Sequence, residues 1–310
     1  MPSTAMGKIL LGFNCNCFTN RYSEPSVWPR LCAEMGVRHV MFNTDLIDPY
    51  WSWETQKRLC HETLENCEKH GIKIFASFGG HNNHQHYLGH PDEGAREEAV
   101  GFYKRAIRQT ALLGGRSYGT CFAIMTQRCD SDGALRSGIL EAAIESYHAL
   151  AEYAAEAGLP ALSYEMTSVS RESCATFSEN DYVLARCSDM AVPMRICLDV
   201  GHRNASGHGD QGERDHLQWI RRYASHCDVI DCQQTGLAAS SHWPFTPENN
   251  KLGVIKPDEV VGAIEQAGVG HDILLAFEIR TPAFYPQDGM QLEGLRASVE
   301  YWKGFIKESE

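Results

Sequence analysis

Eight apolar, strand-like runs alternate with eight helix-like runs along the chain, and this rhythm restricts the fold more than any other feature. The strand-like runs cover residues 8–18, 37–43, 72–78, 116–125, 162–166, 194–202, 229–234 and 272–279. The helix-like runs cover residues 26–35, 53–70, 91–113, 133–157, 181–188, 215–225, 257–267 and 292–306. Gly36, Gly71, Gly114 with Gly115, and Gly158 follow the first four helices, where a left-handed cap is wanted. Strict alternation implies parallel strands joined by helical crossovers. Eight such units make a (β/α)8 TIM barrel. A doubly wound open sheet would place a glycine-rich phosphate loop after its first strand, and FNCNCF there has no glycine. The 310 residues suit one barrel of this kind, with no linker or composition shift to mark a second domain. The expectation is one α/β domain over residues 1–310, with residues 1–7 a short tail.

Composition narrows the function. The net charge is −12 and no run of Lys and Arg occurs, which argues against nucleic acid as a partner. A small anionic substrate is still allowed, since it needs only one or two local donors. Twelve cysteines are scattered singly, in a chain long enough to need no stapling. They read as reduced thiols of a cytoplasmic protein rather than as a disulfide frame or a zinc site. No window approaches the ~20 apolar residues of a membrane span.

In a barrel of this type the chemistry sits at the C-terminal ends of the strands. The first strand ends in Asn14 and Asn16, and the second in Asn43, Asp45 and Asp48. The third runs into Gly79, Gly80 and His81. The fifth ends in Tyr164, Glu165 and Thr167, and the sixth, MRICLDVGH, in Asp199 and His202. The seventh ends in Asp231, Gln233, Gln234 and Thr235, and the eighth in Glu278 and Arg280. Glu165, Asp199, Gln233 and Glu278 thus end four consecutive strands. One acidic residue at a strand end is more often a helix cap or a surface ion pair. Three carboxylates converging on one side of a barrel mouth cannot all stay ionised without a cation. An oxygen-rich set favours one hard or borderline divalent ion, Mn²⁺, Mg²⁺ or Co²⁺, with Zn²⁺ still open.

The segments YEMT (Tyr164–Thr167), CLDVGH (Cys197–His202) and LLAFEI (Leu274–Ile279) resemble the xylose isomerase-like superfamily of sugar isomerases and epimerases, over essentially the whole chain. That resemblance implies a metal held by two Glu, an Asp and a His, with the two Glu, here Glu165 and Glu278, also acting as acid and base. This chain departs at the third ligand, because Gln233 stands where the His is expected. Within the superfamily, DCQQTG, SSHWPFTPENNKLGVIKPDEVV and FNTDLIDPYW are similar to a D-erythrulose 1-phosphate 3-epimerase group. The implied reaction is epimerisation or isomerisation of a short ketose or ketose phosphate through an enediolate.

His202, Arg280, His81, Asn14 and Trp243 are the candidate substrate contacts. His202 is alternatively a partner of Asp199. Phosphate candidates are Arg203 with the loop over residues 204–212, and the amides near Gly79 and Gly80. His84 and His86 in HNNHQHY read as pocket wall rather than metal ligands. The same chemistry could serve a lyase decarboxylating a 3-oxo sugar acid. A zinc endonuclease shares this fold and is disfavoured by the acidic charge, and a non-catalytic sugar-binding barrel would not need two opposed carboxylates. The only partner implied is a small sugar, with a homo-oligomer suggested by resemblance alone.

Overall fold

The computed structural model describes residues 6–80, 85, 87–203, 212–237, 240–282 and 285–306. In chain order the elements are β1 (Ile9–Asn14), α1 (Trp28–Glu34), β2 (His39–Asn43), α2 (Trp53–His70), β3 (Lys73–Phe78) and α3 (Glu93–Leu112). Then come β4 (Ser117–Cys121), α4 (Gln127–Asp130), α5 (Gly133–Glu156), β5 (Ala161–Met166), α6 (Phe177–Arg186), β6 (Met194–Asp199) and α7 (His216–Tyr223). The chain closes with β7 (Cys227–Cys232), α8 (Pro247–Leu252), α9 (Pro257–Ala267), β8 (Ile273–Phe277) and α10 (Gly289–Lys303). The eight strands form a closed parallel barrel in sequence order, with β8 returning to pair with β1. The chain is therefore a single (β/α)8 TIM barrel, as the alternation predicts.

Helix ends follow local chemistry. Ser52, Asp92, Asp132, Thr176, Asp215 and Thr246 each accept a hydrogen bond from a backbone N–H of the first turn of the helix they precede. Gly71 and Gly268 close α2 and α9 in the left-handed conformation that Cβ-bearing residues avoid. Between the strands and the helices lies the larger apolar layer, which includes Trp28, Phe102, Tyr147, Trp219 and Trp302, all buried. Full burial of side chains this size stabilises by roughly 1.5–3 kcal/mol each. A smaller cluster, Met41, Phe75, Phe78, Val229 and Leu274, fills the barrel interior beneath the mouth.

The structure shortens several expected elements. The first strand stops at Asn14, whose side chain accepts from Asn16 N, and residues Cys15–Phe18 form a 3-10 turn. The fourth stops at Cys121 rather than at residue 125, and the chain then enters α4. The long connection after β7 contains α8, started by Pro247 at its first position. All twelve cysteines are buried and unpaired to one another. Gly7, within the expected tail, donates its N–H to Val269 O. Among the described residues no helix is long and apolar enough to cross a membrane.

Candidate active site

Four carboxylates meet at the C-terminal mouth. Glu165 lies in β5, Asp199 ends β6, Asp231 lies in β7, and Glu278 follows β8 directly. All four are buried. The register explains the convergence: Cys121 pairs with Glu165, Glu165 with Cys197, Asp199 with Asp231, and Asp231 with Ala276. One oxygen from each of Glu165, Asp231 and Glu278 lies within 4.8 Å of the others. Atoms of Asp199, His202, His242 and Glu278 satisfy the same limit.

The electrostatics are those of crowded charge in a low-dielectric site. Burial, with neighbouring carboxylates adding to it, pushes Glu165 and Asp231 up, and lifts Asp199 to about 6. Burial would do the same to Glu278, but Arg280, His242 and His202 outweigh it and hold that carboxyl at about 2. Arg280 forms an ion pair with Glu278 Oε1, and Asn16 Nδ2 donates to the same oxygen at 3.0 Å. His202 Nε2 sits 3.3 Å from both Glu165 Oε1 and Asp199 Oδ2. Burial disfavours its imidazolium, yet the two carboxylates raise His202 to about 9.

The sequence candidates separate into groups. Glu165, Asp199, Glu278, His202 and Arg280 come together at the mouth, and the Arg280 side chain is 48% exposed at its rim. Gln233 is there too, with Nε2 donating to Asp199 Oδ2 at 2.6 Å. Its Oε1 accepts from His242 N at 2.6 Å and from Ser240 Oγ at 3.0 Å. Asn14 lies fully buried below, donating to Asp231 Oδ2 at 3.3 Å. Trp243 is half-buried over Gly236, in the loop that an isolated antiparallel bridge to Gln234 folds back. Phe245 is buried against Phe277, Tyr301 and Trp302, so it packs that loop onto the barrel. His81, His84, His86, the loop 204–211 and the Arg203 side chain lie outside the described residues.

Two participants stand outside the selected candidates. Asp231 ends no alternating pattern, because β7 is buried at every residue. His242 lies in a loop, nine residues after Gln233 in sequence, and the Gln234–Trp243 bridge helps return it to the mouth. Its neighbours in HWPF were the one available signal.

Glu165 Oε1, Asp231 Oδ1 and Glu278 Oε2 are buried and accept no hydrogen bond from the described residues. His202 Nε2 and His242 Nδ1 lie 3.3 Å from the Glu165 and Glu278 oxygens, and carboxylate oxygens without hydrogen bonds beside two imidazoles form a donor set that fits a divalent cation.

Residues 29–303 match the family described as xylose isomerase-like TIM barrel. The chain belongs to that family. Relatives of this chain carry the names of sugar epimerases and isomerases. The chain is 27% identical over 302 residues to the D-erythrulose 1-phosphate 3-epimerase of Brucella abortus (strain 2308), covering 96% of each chain. A Rhodospirillum rubrum structure, provisionally named a xylose isomerase, superposes with a TM-score of 0.88 at 24% identity, over 96% of this chain and 100% of that one. The D-psicose 3-epimerase of Clostridium cellulolyticum H10, solved with D-tagatose, gives 0.69 at 15% identity, over 96% and 100% of the two chains. At those identities the family members in the solved structures speak to the fold alone.

Proposed function

We propose that this protein is a divalent-metal-dependent 3-epimerase of a short ketose phosphate of the D-erythrulose 1-phosphate type. The observation that carries the reading is the meeting of Glu165 and Glu278, from opposite ends of the carboxylate arc, at one point of the mouth. Epimerisation beside a ketone removes a proton from one face of a carbon and returns one to the other. That needs two groups of opposite readiness. Glu278, held ionised at about 2, is ready to accept, and Glu165, pushed upward by burial, is ready to donate. The two exchange these roles for the reverse reaction.

Glu165, Asp199 and Glu278 would hold the cation, with a further donor from the β7 side. When bound, it supplies Lewis-acid polarisation of the ketone oxygen, which makes the neighbouring C–H acidic. His202, standing between Glu165 and Asp199, donates a hydrogen bond to the oxygen that gains charge in the enediolate. Arg280 orients and restrains Glu278, and its exposed guanidinium face takes the anionic end of the substrate. Asn16 keeps Glu278 Oε1 in place while Oε2 faces the reaction. Trp243 forms part of the loop wall that limits substrate length.

The test is incubation of the Mn²⁺-loaded enzyme with D-erythrulose 1-phosphate in D₂O. Deuterium entering C3 of recovered ketose phosphate, without loss of carbon dioxide, is the expected result. Carbon dioxide release from a 3-oxo sugar acid, with no exchange into the ketose phosphate, would instead establish the lyase.

A further inference from the structure

Gln233 occupies the place where relatives are expected to carry a metal-binding His, yet its carbonyl oxygen is already committed. Oε1 accepts from the backbone N–H of His242 at 2.6 Å and from Ser240 Oγ at 3.0 Å. These two bonds assign the orientation of the amide, leaving Nε2 as the donor toward Asp199 Oδ2 at 2.6 Å. To offer its oxygen to a cation, Gln233 would have to release both donors. Gly201 makes this placement possible. A Cβ there would meet Gln233 Cγ and Cδ at 2.3 Å.

His242 is in the opposite condition. Its backbone is left-handed, with φ 49°, a conformation that is costly for a residue with this side chain. The bond from its N–H to Gln233 Oε1, the Gln234–Trp243 bridge just past β7, and the Arg280 N–H donating to His242 O at 3.1 Å hold it there. The imidazole faces the mouth. Nδ1 lies 3.1 Å from the Glu278 carbonyl oxygen, and Nε2 lies 3.4 Å from the Gln233 amide nitrogen. Glu278 Oε2 lies 3.3 Å from the same Nδ1, so Nδ1 faces two acceptors and carries the proton, and Nε2 keeps a lone pair for a cation once the long contact from the Gln233 amide is given up. An imidazole whose second nitrogen donates to a backbone carbonyl is in the state that metal-binding histidines adopt. The ring also falls in the cluster with Asp199, His202 and Glu278.

We propose that His242, delivered from the loop after β7, is the nitrogen ligand of the divalent ion, and that Gln233 is a positioning residue that holds it. This rests on the metal-dependent reading of the site. The ligand lost from the strand is recovered from the loop, and the Gln left on the strand holds the loop's strained backbone in place.

The experiment compares Mn²⁺ affinity by calorimetry, and nitrogen coupling to bound Mn²⁺ by pulsed electron paramagnetic resonance, across variants. His242→Asn keeps the backbone N–H and a residue that tolerates the left-handed conformation, so folding is preserved. It is expected to weaken Mn²⁺ binding by about 100-fold or more and to remove an imidazole coupling seen in the wild type. Gln233→Ala is expected to weaken binding by about 10-fold while the coupling persists, a separation that a simple loss of folding would not give. Wild-type affinity and unchanged coupling in His242→Asn, alongside a large loss in Gln233→Ala, would overturn the inference and restore Gln233 as ligand, with the metal reading intact. A wild-type protein that binds no Mn²⁺, Mg²⁺, Co²⁺ or Zn²⁺ would remove the metal reading and this inference together.

Discussion

The strands of the first half of the barrel and those of the second half end in different chemistry. β1 and β2 end in Asn14 and Asn43, β3 runs into Gly79 and Gly80, and β4 ends in Cys121. β5 to β8 bring Glu165, Asp199, Asp231 and Glu278. One half concentrates negative charge, and the other answers with neutral amides: Asn14 donates to Asp231, and Asn16 to Glu278. Neutral donors fix the direction of a carboxylate without cancelling its charge. Burial, with the repulsion left standing among the four adding to it, displaces Glu165, Asp199 and Asp231 upward. Had the first half offered Lys or Arg, the arc would be neutralised internally and would have no call for a cation. Gly80 fits the same division, since a Cβ there would strike Asp45 Oδ2 at 2.1 Å and Asn43 Oδ1 at 2.5 Å.

The comparison breaks first at Glu278. Glu278→Gln removes the proton acceptor and keeps the shape, so turnover should fall by about 10²–10⁴-fold. Mn²⁺ content, measured on the same preparation, should remain close to that of the wild type. Near-normal turnover would mean that the second half does not supply the reacting carboxylates.

A smaller effect separates the charge of the mouth from the stability of the second half beneath it. His216, at the start of α7, is buried, and burial lowers its pKa to about 4. Its folded value lies below the unfolded one, so the stability it contributes is full above about 6.5 and is lost as the pH falls toward 4. The gap corresponds to roughly 3 kcal/mol. Urea unfolding of the wild type and of His216→Gln at pH 7 and at pH 4 should differ in their acid loss by about that amount. Equal acid loss in both would trace the sensitivity of the second half to the mouth instead.

The smallest expected effect belongs to the first half. Asn16→Ala deletes one donor to Glu278 Oε1, a bond to a charged group of about 1.5–3 kcal/mol, of which Arg280 on the same oxygen retains part. A reduction in kcat of about 10-fold, with KM little changed, is expected from steady-state kinetics. If Asn16→Ala were as damaging as Glu278→Gln, the two halves would have equal parts in the chemistry.

The sequence was most informative where local and global patterns coincide. The barrel was legible because each strand–helix unit carries its own periodicity and its own glycine stop, and Gly36, Gly71, Gly114 and Gly158 all show the positive φ expected of them. Glu165, Asp199 and Glu278 were legible because a carboxylate that ends an apolar run is conspicuous. Asp231 stood out less, since every residue of β7 is buried and no alternation marks which of them faces inward. Asn14 is fully buried and donates to Asp231, and the chain turns into a 3-10 segment immediately after it. Asn16, on that turn, reaches Glu278 instead.

By itself the chain determined the count of units, the direction of the strands and which strands end in acid, since these follow from neighbours in sequence. Only the tertiary structure decided that His242 faces the carboxylates and that Gln233 spends its oxygen on a backbone N–H. Both depend on a loop folding back across the mouth through the Gln234–Trp243 bridge. Such a closure fixes contacts between residues whose local patterns say nothing about each other, and its conformational cost is met by packing such as that of Phe245 on Trp302.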